Sequence, residues 1–344
     1  MELPLSARIE DGLNQRVVPR LRARGWLPQI IDYPGYGSDS FARVLGRVVM
    51  HDPTTHDDGD PVGTLEEAQR GWRSFVATPV AMIPVTVRLG SAEVQTLTDR
   101  SGYIDVVVRH HGLEPGWATA HLSAPSTEPV DARVNIVSPD ARLGIISDVD
   151  DTVMVTYLPR MFIAAWNTFV QHTTARKPVD GMPKLYRELL DRHPEMPTFY
   201  LSTGAWGSVP TLTKFLKTHG YPAGAMLMTD WGPTPTSMFR SGVEHKRTQL
   251  RRLAIEFPNI EWFLIGDDGQ HDPHVYSEFA REHPAHVRAI TIRQLNPVEQ
   301  VLAHGTPSVL RSRDPRQRAD AYTPFIAAAD GTRLAAKLRA LPEA

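Results

Sequence analysis

Five short, uninterrupted apolar runs in the second half of the chain constrain its fold more than any other feature. They occupy residues 143–146, 198–201, 225–228, 262–265 and 289–292. Continuous apolar runs of this length are typical of strands that are buried on both faces. Between them lie helical patterns, at residues 182–192, 209–219, 246–257 and 273–282. This alternation predicts a doubly wound α/β domain around a parallel sheet, with functional side chains at the carboxyl ends of the strands.

The first part of the chain follows a different pattern. Apolar and polar residues alternate at 85–89 and 130–136, and the sequence TDRSG at 98–102 is typical of a turn. Alternation of period two indicates half-buried strands, and short strands between turns favour a small antiparallel sandwich. We therefore predict three parts: a β-rich accessory domain over 1–138, the α/β domain over 139–305, and a partly helical C-terminal extension over 306–344.

Composition and charge exclude several classes of protein. Without cysteine the chain can have no disulfide, no catalytic thiol and no thiolate ligand for zinc, which suits the cytoplasm. Lys and Arg number 37 against 39 Asp and Glu, so no overall positive charge points to nucleic acid. The amino terminus lacks the pattern of a signal peptide, and no run approaches the roughly 18 apolar residues that span a bilayer. We expect a cytoplasmic protein without a transmembrane segment, which would meet any membrane peripherally.

Carboxylates follow the first apolar run of the α/β domain. The sequence SDVDDT at 147–152 begins where that predicted strand ends. A strand-end carboxylate such as Asp148 can attack phosphorus and form an aspartyl-phosphate. A second carboxylate two residues later, Asp150, can protonate the leaving oxygen and then activate water. So short a sequence also arises by chance, and a turn or helix-capping role fits these residues equally well.

Other polar residues end predicted strands or begin predicted helices. Ser202 and Thr203 follow the second strand at a helix start, where a hydroxyl and free backbone N–H groups can hold a phosphoryl oxygen. Lys246 begins a helix, where the helix dipole disfavours a cation. It would either neutralise a phosphoryl group or form a surface ion pair. The sequence GDDGQHD at 266–272 clusters carboxylates that suit Mg²⁺, although Asp272 precedes a proline and also fits a helix N-cap.

The order Asp, Ser, Lys, Asp, each at a strand end or helix start, resembles the four-motif pattern of the haloacid dehalogenase superfamily. More narrowly, this half resembles the App1-type phosphatidate phosphatase family, whose catalytic domain is related to those of lipins. The resemblance covers roughly residues 140–295, through SDVDDTV at 147–153, NTF at 167–169, EHKR at 244–247 and GDDGQHDP at 266–273. In the β-rich part, YPGYGS at 33–38 and GRV at 46–48 resemble the same family less specifically.

The resemblance implies a catalytic role for each motif. Asp148 would be the nucleophile, and Asp150 would be the general acid and base. Ser202 and Lys246 would hold the transferred phosphoryl group, with Thr203 contributing to the same phosphate site. The implied fold is haloacid dehalogenase-like, with little or no cap domain over the active site.

The resemblance also implies a Mg²⁺ site. Asp148, Asp267 and the backbone oxygen of Asp150 would bind the ion. Two departures from the family pattern stand out: STGAW at 202–206, where members usually carry a Ser-Pro-Trp-like step, and Asp268, where the usual residue is small. The second leaves open whether Asp267 or Asp268 is the principal ligand. Three further residues would act in the second layer around the site: Thr152, Asp268 and Asp272.

The spacing of the motifs bears on the substrate. Neither the segment before Ser202 nor the segment from Ser202 to Lys246 is long enough for a sizeable cap domain. An open site can receive a bulky or interface-bound substrate. The apolar stretch at 157–170 either packs on the core or enters a membrane interface.

These observations predict a Mg²⁺-dependent phosphatase that works through an aspartyl-phosphate. Its predicted substrate is phosphatidate, a lipid phosphomonoester met at a membrane surface, and its products are diacylglycerol and phosphate. Two alternatives stay open: a phosphatase for a soluble phosphomonoester or phosphoprotein, and a non-catalytic phosphatidate-binding module. Loss of the acid/base carboxylate would favour the binding module, but Asp150 is present.

Overall fold

The structure is a computed structural model that describes residues 17–54, 78–155, 177–229, 242–269, 271–296, 299–300 and 323–341. These residues form two compact units. One contains the described residues up to Pro139 together with Ala205–Pro210, and the other contains the rest. The domain limits at residues 138 and 305 stay a prediction, because a segment from beyond the first limit also belongs to the first unit.

The first unit contains a seven-stranded sheet in the order β4-β3-β6-β7-β1-β2-β5. Neighbouring strands are antiparallel except β1 and β7, which pair in parallel. Along β3, Val85, Val87 and Leu89 are buried and alternate with more exposed residues, as the sequence predicts. The strands are β1 (Leu27–Gly37), β2 (Phe41–His51), β3 (Pro84–Leu89), β4 (Ala92–Leu97), β5 (Tyr103–Arg109), β6 (Gly116–Ser123) and β7 (Val130–Ile136).

This sheet differs from the predicted sandwich because it is one nearly closed sheet. Its end strands, β4 and β5, contact each other. The pairing of β1 with β2 shifts register between Tyr33 and Tyr36, and such an irregularity bends a strand. Curling places one face of every strand inside, where Val44, Val87 and Leu122 share a buried cluster. The alternation of apolar and polar residues in the sequence does not distinguish a sandwich from a closed sheet, because inward and outward residues alternate along the strands of both.

The second unit contains a six-stranded sheet in the order β10-β9-β8-β11-β12-β13. β8 pairs in parallel with β9 and β11, and β12 pairs in parallel with β11 and β13. The five apolar runs thus form β8 to β12, which confirms an α/β unit with a parallel sheet. The strands are β8 (Leu143–Ser147), β9 (Thr198–Ala205), β10 (Ala225–Thr229), β11 (Glu261–Asp267), β12 (Val287–Arg293) and β13 (Phe325–Ala328).

Helices connect these strands with the expected amphipathic spacing. In α1, for example, Met182, Leu185, Tyr186 and Leu189 are buried at the 3- and 4-residue intervals of one helix face. The helices are α1 (Met182–Arg192), α2 (Val209–Thr218), α3 (Gly242–Glu256), α4 (Asp272–Glu282) and α5 (Gly331–Leu338). From β8 the chain continues to β9 and β10 on one side and then crosses to β11 on the other. This reversal creates a crevice at the carboxyl ends of β8 and β11.

The C-terminal part of the chain adds more than helix to this unit. Helix α5 lies within the segment 306–344, whose extent as a C-terminal extension stays a prediction, and β13, which was not predicted, forms the sixth strand of the sheet. The apolar stretch at 157–170, the NTF motif and parts of both segments between the motifs lie outside the described residues. In the part of the chain that the structure describes, no helix is long and apolar enough to cross a membrane.

Candidate active site

Four elements bring polar side chains together at the carboxyl edge of the parallel sheet. Asp148 directly follows β8, and Asp267 ends β11. Lys246 lies in the first turns of α3, and Asp272 is the first residue of α4. The four side chains are almost completely buried. The sheet order explains this convergence, because the ends of β8 and β11 are neighbours at the point where the chain reverses direction.

Lys246 joins two of the carboxylates. Its Nζ donates to Asp148 Oδ1 at 2.6 Å and to Asp272 Oδ1 at 2.5 Å. Lys246 is only 2% exposed, so the alternative interpretation of this residue as part of a surface ion pair is wrong. Burial lowers the pKa of Lys246, but the charges of Asp148 and Asp272 outweigh it and leave that pKa above its ordinary value. The ammonium is therefore a permanent positive charge inside the site.

Three carboxylates crowd around this single cation. One oxygen each from Asp148, Asp267 and Asp272 lie within 4.8 Å of one another. Burial raises the pKa of Asp148 to about 8, with Lys246 opposing the shift and Asp272 adding to it. Burial also raises the pKa of Asp267 well above its ordinary value, and the charges of Asp272 and Asp148 reinforce this. Three ionised carboxylates around one lysine therefore repel one another, and this repulsion favours the protonated, neutral form of Asp148 and Asp267 unless more positive charge is present.

The structure separates the two candidate ligands of the fourth motif. Asp267 faces the cluster, and its Oδ1 accepts from the backbone N–H of Gly269 at 2.6 Å. Asp268 Oδ1 instead accepts from the Leu295 N–H and from Gln300 Nε2, both at 2.8 Å. Among the described residues, Asp267 and not Asp268 therefore lies in the carboxylate cluster.

The helix-capping interpretation of Asp272 is also wrong. The N-cap of α4 is His271, and Asp272 is the first residue of the helix. Pro273 follows it in the first turn of the helix. The carboxylate of Asp272 does not cap the helix but points inward, where it accepts a hydrogen bond from Lys246. The sequence placed Asp272 in the second layer around the site, whereas its oxygen lies among those of Asp148 and Asp267.

The loop after β8 places the remaining residues of the first motif near Ser202. Ser202 Oγ lies 3.4 Å from Asp150 Oδ2 and accepts from the Gly204 N–H at 2.9 Å. Thr152 Oγ1 donates to Asp148 Oδ2 at 3.3 Å, as a supporting residue would. The structure thus brings Asp150, Thr152 and Ser202 to the same edge as Asp148.

Thr203 occupies a different environment from Ser202. Its backbone carbonyl accepts from Thr229 Oγ1 at 2.7 Å. Its methyl carbon lies so close to Gly242, at the start of α3, that a Cβ on that glycine would be 2.6 Å away. The predicted role of Thr203 in binding phosphate stays a prediction.

Sequence reasoning missed two groups that hold this site in place. Ser147 Oγ donates to the Asp148 carbonyl at 2.6 Å and contacts the hydroxyl of Tyr186, which is fully buried. Arg293 Nη1 donates to the Asp151 carbonyl at 2.6 Å. No pattern distinguishes Tyr186 from any other buried residue of α1. Arg293 did carry a signal, because it ends a predicted buried strand at the edge where Asp148 and Asp267 also lie.

Comparison with known proteins identifies the segment that carries this site. Residues 143–294 match the family described as phosphatidate phosphatase APP1, catalytic domain. Over 160 residues, 46% of this chain, the sequence is 27% identical to phosphatidate phosphatase APP1 of Saccharomyces cerevisiae, of which it covers 27%. Over 154 residues, 44% of this chain, it is 23% identical to an uncharacterized protein of Schizosaccharomyces pombe, of which it covers 25%.

Each of these similarities covers only part of the proteins compared. The chain spans about a quarter of the length of the two curated relatives that it matches. A crystal structure of a carbohydrate acetylesterase from Xanthomonas citri is similar over 81% of this chain and 73% of its own, with a TM-score of 0.27 and 9% identity. The match to the catalytic domain is specific and includes every residue of the carboxylate cluster. Residues 143–294 are therefore similar to the catalytic domain of the phosphatidate phosphatase APP1 family.

Proposed function

We propose that this protein is a Mg²⁺-dependent phosphatase that hydrolyses phosphatidate to diacylglycerol and phosphate through an aspartyl-phosphate on Asp148. The observation that carries the proposal is the buried cluster of Asp148, Asp267 and Asp272 around Lys246. A buried carboxylate beside a fixed ammonium is suited to attack a phosphoryl group, whose charge the ammonium offsets. The family match of residues 143–294 supports phosphatidate as the substrate.

The cluster fits a divalent cation in charge and in donor chemistry. When ionised, its three carboxylates exceed the single lysine by the charge that one Mg²⁺ ion carries. Asp267 Oδ2 and Asp272 Oδ2 are buried and have no hydrogen-bond partner among the described residues. Carboxylate oxygens are the ligands that Mg²⁺ prefers. We assign the ion to Asp148 and Asp267 with the backbone oxygen of Asp150, and Asp272 is close enough to join them. When bound, Mg²⁺ would offset negative charge on the phosphoryl oxygens.

In the first proposed step, an oxygen of Asp148 attacks the phosphorus of phosphatidate. The bond between phosphorus and the diacylglycerol oxygen breaks, and Asp150 donates its proton to that oxygen. Lys246 would hold the attacking carboxylate and a phosphoryl oxygen together. Ser202 lies beside Asp150, and its hydroxyl would donate a hydrogen bond to a second phosphoryl oxygen. The products of this step are diacylglycerol and a phosphoryl group bound to Asp148.

In the second proposed step, Asp150 accepts a proton from a water molecule. The water oxygen attacks phosphorus, the bond between phosphorus and Asp148 breaks, and phosphate leaves. Asp148 is then an ionised carboxylate and Asp150 is protonated, as both were at the start. The same two carboxylates thus complete both steps: Asp148 acts first as nucleophile and then as leaving group, and Asp150 acts first as acid and then as base.

The proposal also covers the fold family of the second unit and the location of the protein. The order of the motifs and the reversal of strand order at β8 support a haloacid dehalogenase-like unit with the D-x-D-x-T motif at 148–152. We place the protein in the cytoplasm and at membrane surfaces, since the substrate is a lipid and the chain has no cysteine.

Phosphate release from vesicles tests this proposal. We expect release from phosphatidate in phosphatidylcholine vesicles with Mg²⁺, no release above background with EDTA, and recovery when Mg²⁺ is added in excess. p-Nitrophenyl phosphate and glycerol 3-phosphate serve as soluble comparisons. Cleavage of the soluble esters alone would show that the lipid assignment is wrong. Release that persists in EDTA would refute the metal assignment, and vesicle binding without release would indicate a binding module.

A further inference from the structure

Arg293 is a buried charge that the proposed reaction does not use. It is the last residue of β12, at the same edge of the sheet as Asp148 and Asp267, and it is 6% exposed. Its guanidinium makes two hydrogen bonds in different directions. Nη1 donates to the Asp151 carbonyl at 2.6 Å, and Nη2 donates to Glu299 Oε1 at 2.6 Å. A buried arginine that binds a backbone carbonyl 142 residues away in the chain links two distant segments.

The carbonyl that Arg293 holds belongs to a residue with an unusual backbone. Asp151 has a φ of 56°, in the left-handed region that residues other than glycine rarely adopt. Such a conformation persists only where surrounding contacts determine it, and it is common at functional sites. The Asp151 N–H donates to the Met154 carbonyl at 2.9 Å, and the Val153 N–H donates to the Val149 carbonyl at 2.9 Å. Residues 149–154 therefore form a tight loop.

We infer that Arg293 is a positioning residue for the carboxylate loop, and this inference rests on the proposed function. Asp151 directly follows Asp150, the proposed acid and base. By fixing the Asp151 carbonyl, Arg293 holds the left-handed turn and thereby the direction in which the Asp150 carboxyl points. The proposed proton transfers require that carboxyl near the leaving oxygen and then near water, so a small displacement would slow both steps.

A second set of contacts holds Arg293 itself. Glu299 accepts from Arg293 with one oxygen and from the Asn296 N–H with the other, at 2.9 Å. The Glu299 N–H donates to Asn296 Oδ1 at 3.0 Å, which completes a reciprocal capping box. Asp268 accepts from the N–H of Leu295. Asp268, the acidic residue that departs from the family pattern, thus stabilises the segment that follows Arg293.

The competing explanation is that Arg293 and Glu299 form an ion pair that serves only stability. Two variants separate the explanations. Arg293→Met removes both hydrogen bonds of the guanidinium. Glu299→Gln removes the charge of the partner but leaves the bond to Asp151, and glutamine also suits a capping box. A purely structural pair predicts similar consequences for both variants, whereas a positioning role predicts a large loss of activity only for Arg293→Met.

The first experiment measures phosphate release from phosphatidate vesicles with Mg²⁺ by the full chain. We expect Arg293→Met to lower kcat by about 10²-fold while KM changes by less than about threefold. Glu299→Gln should stay within about threefold of the unmutated protein in both constants. Arg293→Lys, which keeps a buried donor, should recover part of the lost kcat and covers the case in which Arg293→Met does not fold. Equal losses of kcat in Arg293→Met and Glu299→Gln would overturn the inference.

Hydrogen exchange supplies a measurement that needs neither substrate nor metal. We expect the peptide that contains residues 149–154 to exchange faster in Arg293→Met than in the unmutated protein, and at an unchanged rate in Glu299→Gln. An unchanged rate in folded Arg293→Met would show that Arg293 does not hold the loop. If the unmutated protein releases no phosphate, the proposed function and the role of Arg293 in it both fail. The exchange rates would then still decide whether Arg293 holds the loop.

Discussion

We expect Asp148→Asn to lower phosphate release by at least about 10⁴-fold, because the amide could not form the proposed aspartyl-phosphate. The substitution preserves the shape of the side chain, and Asp148 lies in a fully buried position beside Lys246. Burial already raises the pKa of this carboxyl, so a neutral amide is compatible with the folded site. We therefore expect a folded protein without turnover. Phosphate release and the thermal unfolding midpoint, measured on the same preparation, check both parts.

A matched control for Asp148→Asn is available on helix α1. Asp191 is exposed there, and Asp191→Asn makes the same chemical change away from the carboxylate cluster. Its phosphate release should remain within about twofold of the unmutated protein, as expected for an exposed surface position. Turnover by Asp148→Asn comparable with that of the control would exclude the covalent mechanism.

Replacing Lys246 by Met produces the second large effect, in both activity and stability. Methionine fills much of the same space but leaves Asp148, Asp267 and Asp272 buried without a cation. Breaking a buried ion pair by removing one partner costs about 3–5 kcal/mol. Under the proposed mechanism the phosphoryl group would also lose the positive charge of Lys246, a type of loss that lowers kcat by about 10²–10³-fold. Urea unfolding and phosphate release measure the two effects separately.

Addition of Mg²⁺ distinguishes the electrostatic cause from a packing defect. If the carboxylates destabilise Lys246→Met by repulsion, Mg²⁺ should restore part of its free energy of unfolding, whereas kcat stays low. Lys184→Met is the control, because Lys184 is exposed on α1 and pairs loosely with Glu188 at 3.7 Å. It should change neither quantity appreciably. A Lys246→Met variant that is as stable and as active as Lys184→Met would contradict the electrostatic account of the site.

The sequence predicted where the site lies better than it predicted how each side chain points. Continuous apolar runs identify buried parallel strands, and the rule for such sheets places Asp148 and Asp267 at one edge. Two adjacent carboxylates at a strand end nevertheless point in different directions, and only the folded backbone shows which one enters the cluster. Asp267 does so, while Asp268 binds the Leu295 N–H. The inward direction of Asp272 likewise depends on His271 being the N-cap of α4.

Contacts between residues far apart in the chain could not be predicted from the sequence. Arg293 reaches a carbonyl in the loop after β8, and Tyr186 reaches Ser147 from helix α1. Neither partner can be deduced without the packing of the elements. The closure of the seven-stranded sheet escaped prediction for a related reason, since alternating burial is the same in a sandwich and in a closed sheet. Strand β13 is four residues long and depends on β12 for its pairing.

Trapping the phosphoryl group on the protein tests the central claim most directly. In Asp150→Asn, p-nitrophenyl phosphate should still transfer its phosphoryl group, because its good leaving group needs little acid catalysis, but hydrolysis of the intermediate should be slow without the base. We predict that quenching and peptide mass analysis will find one phosphoryl group on the peptide that contains Asp148. The double variant with Asp148→Asn should contain none. A phosphoryl group on another residue, or an equal signal in the double variant, would contradict the assignment of Asp148 as the nucleophile.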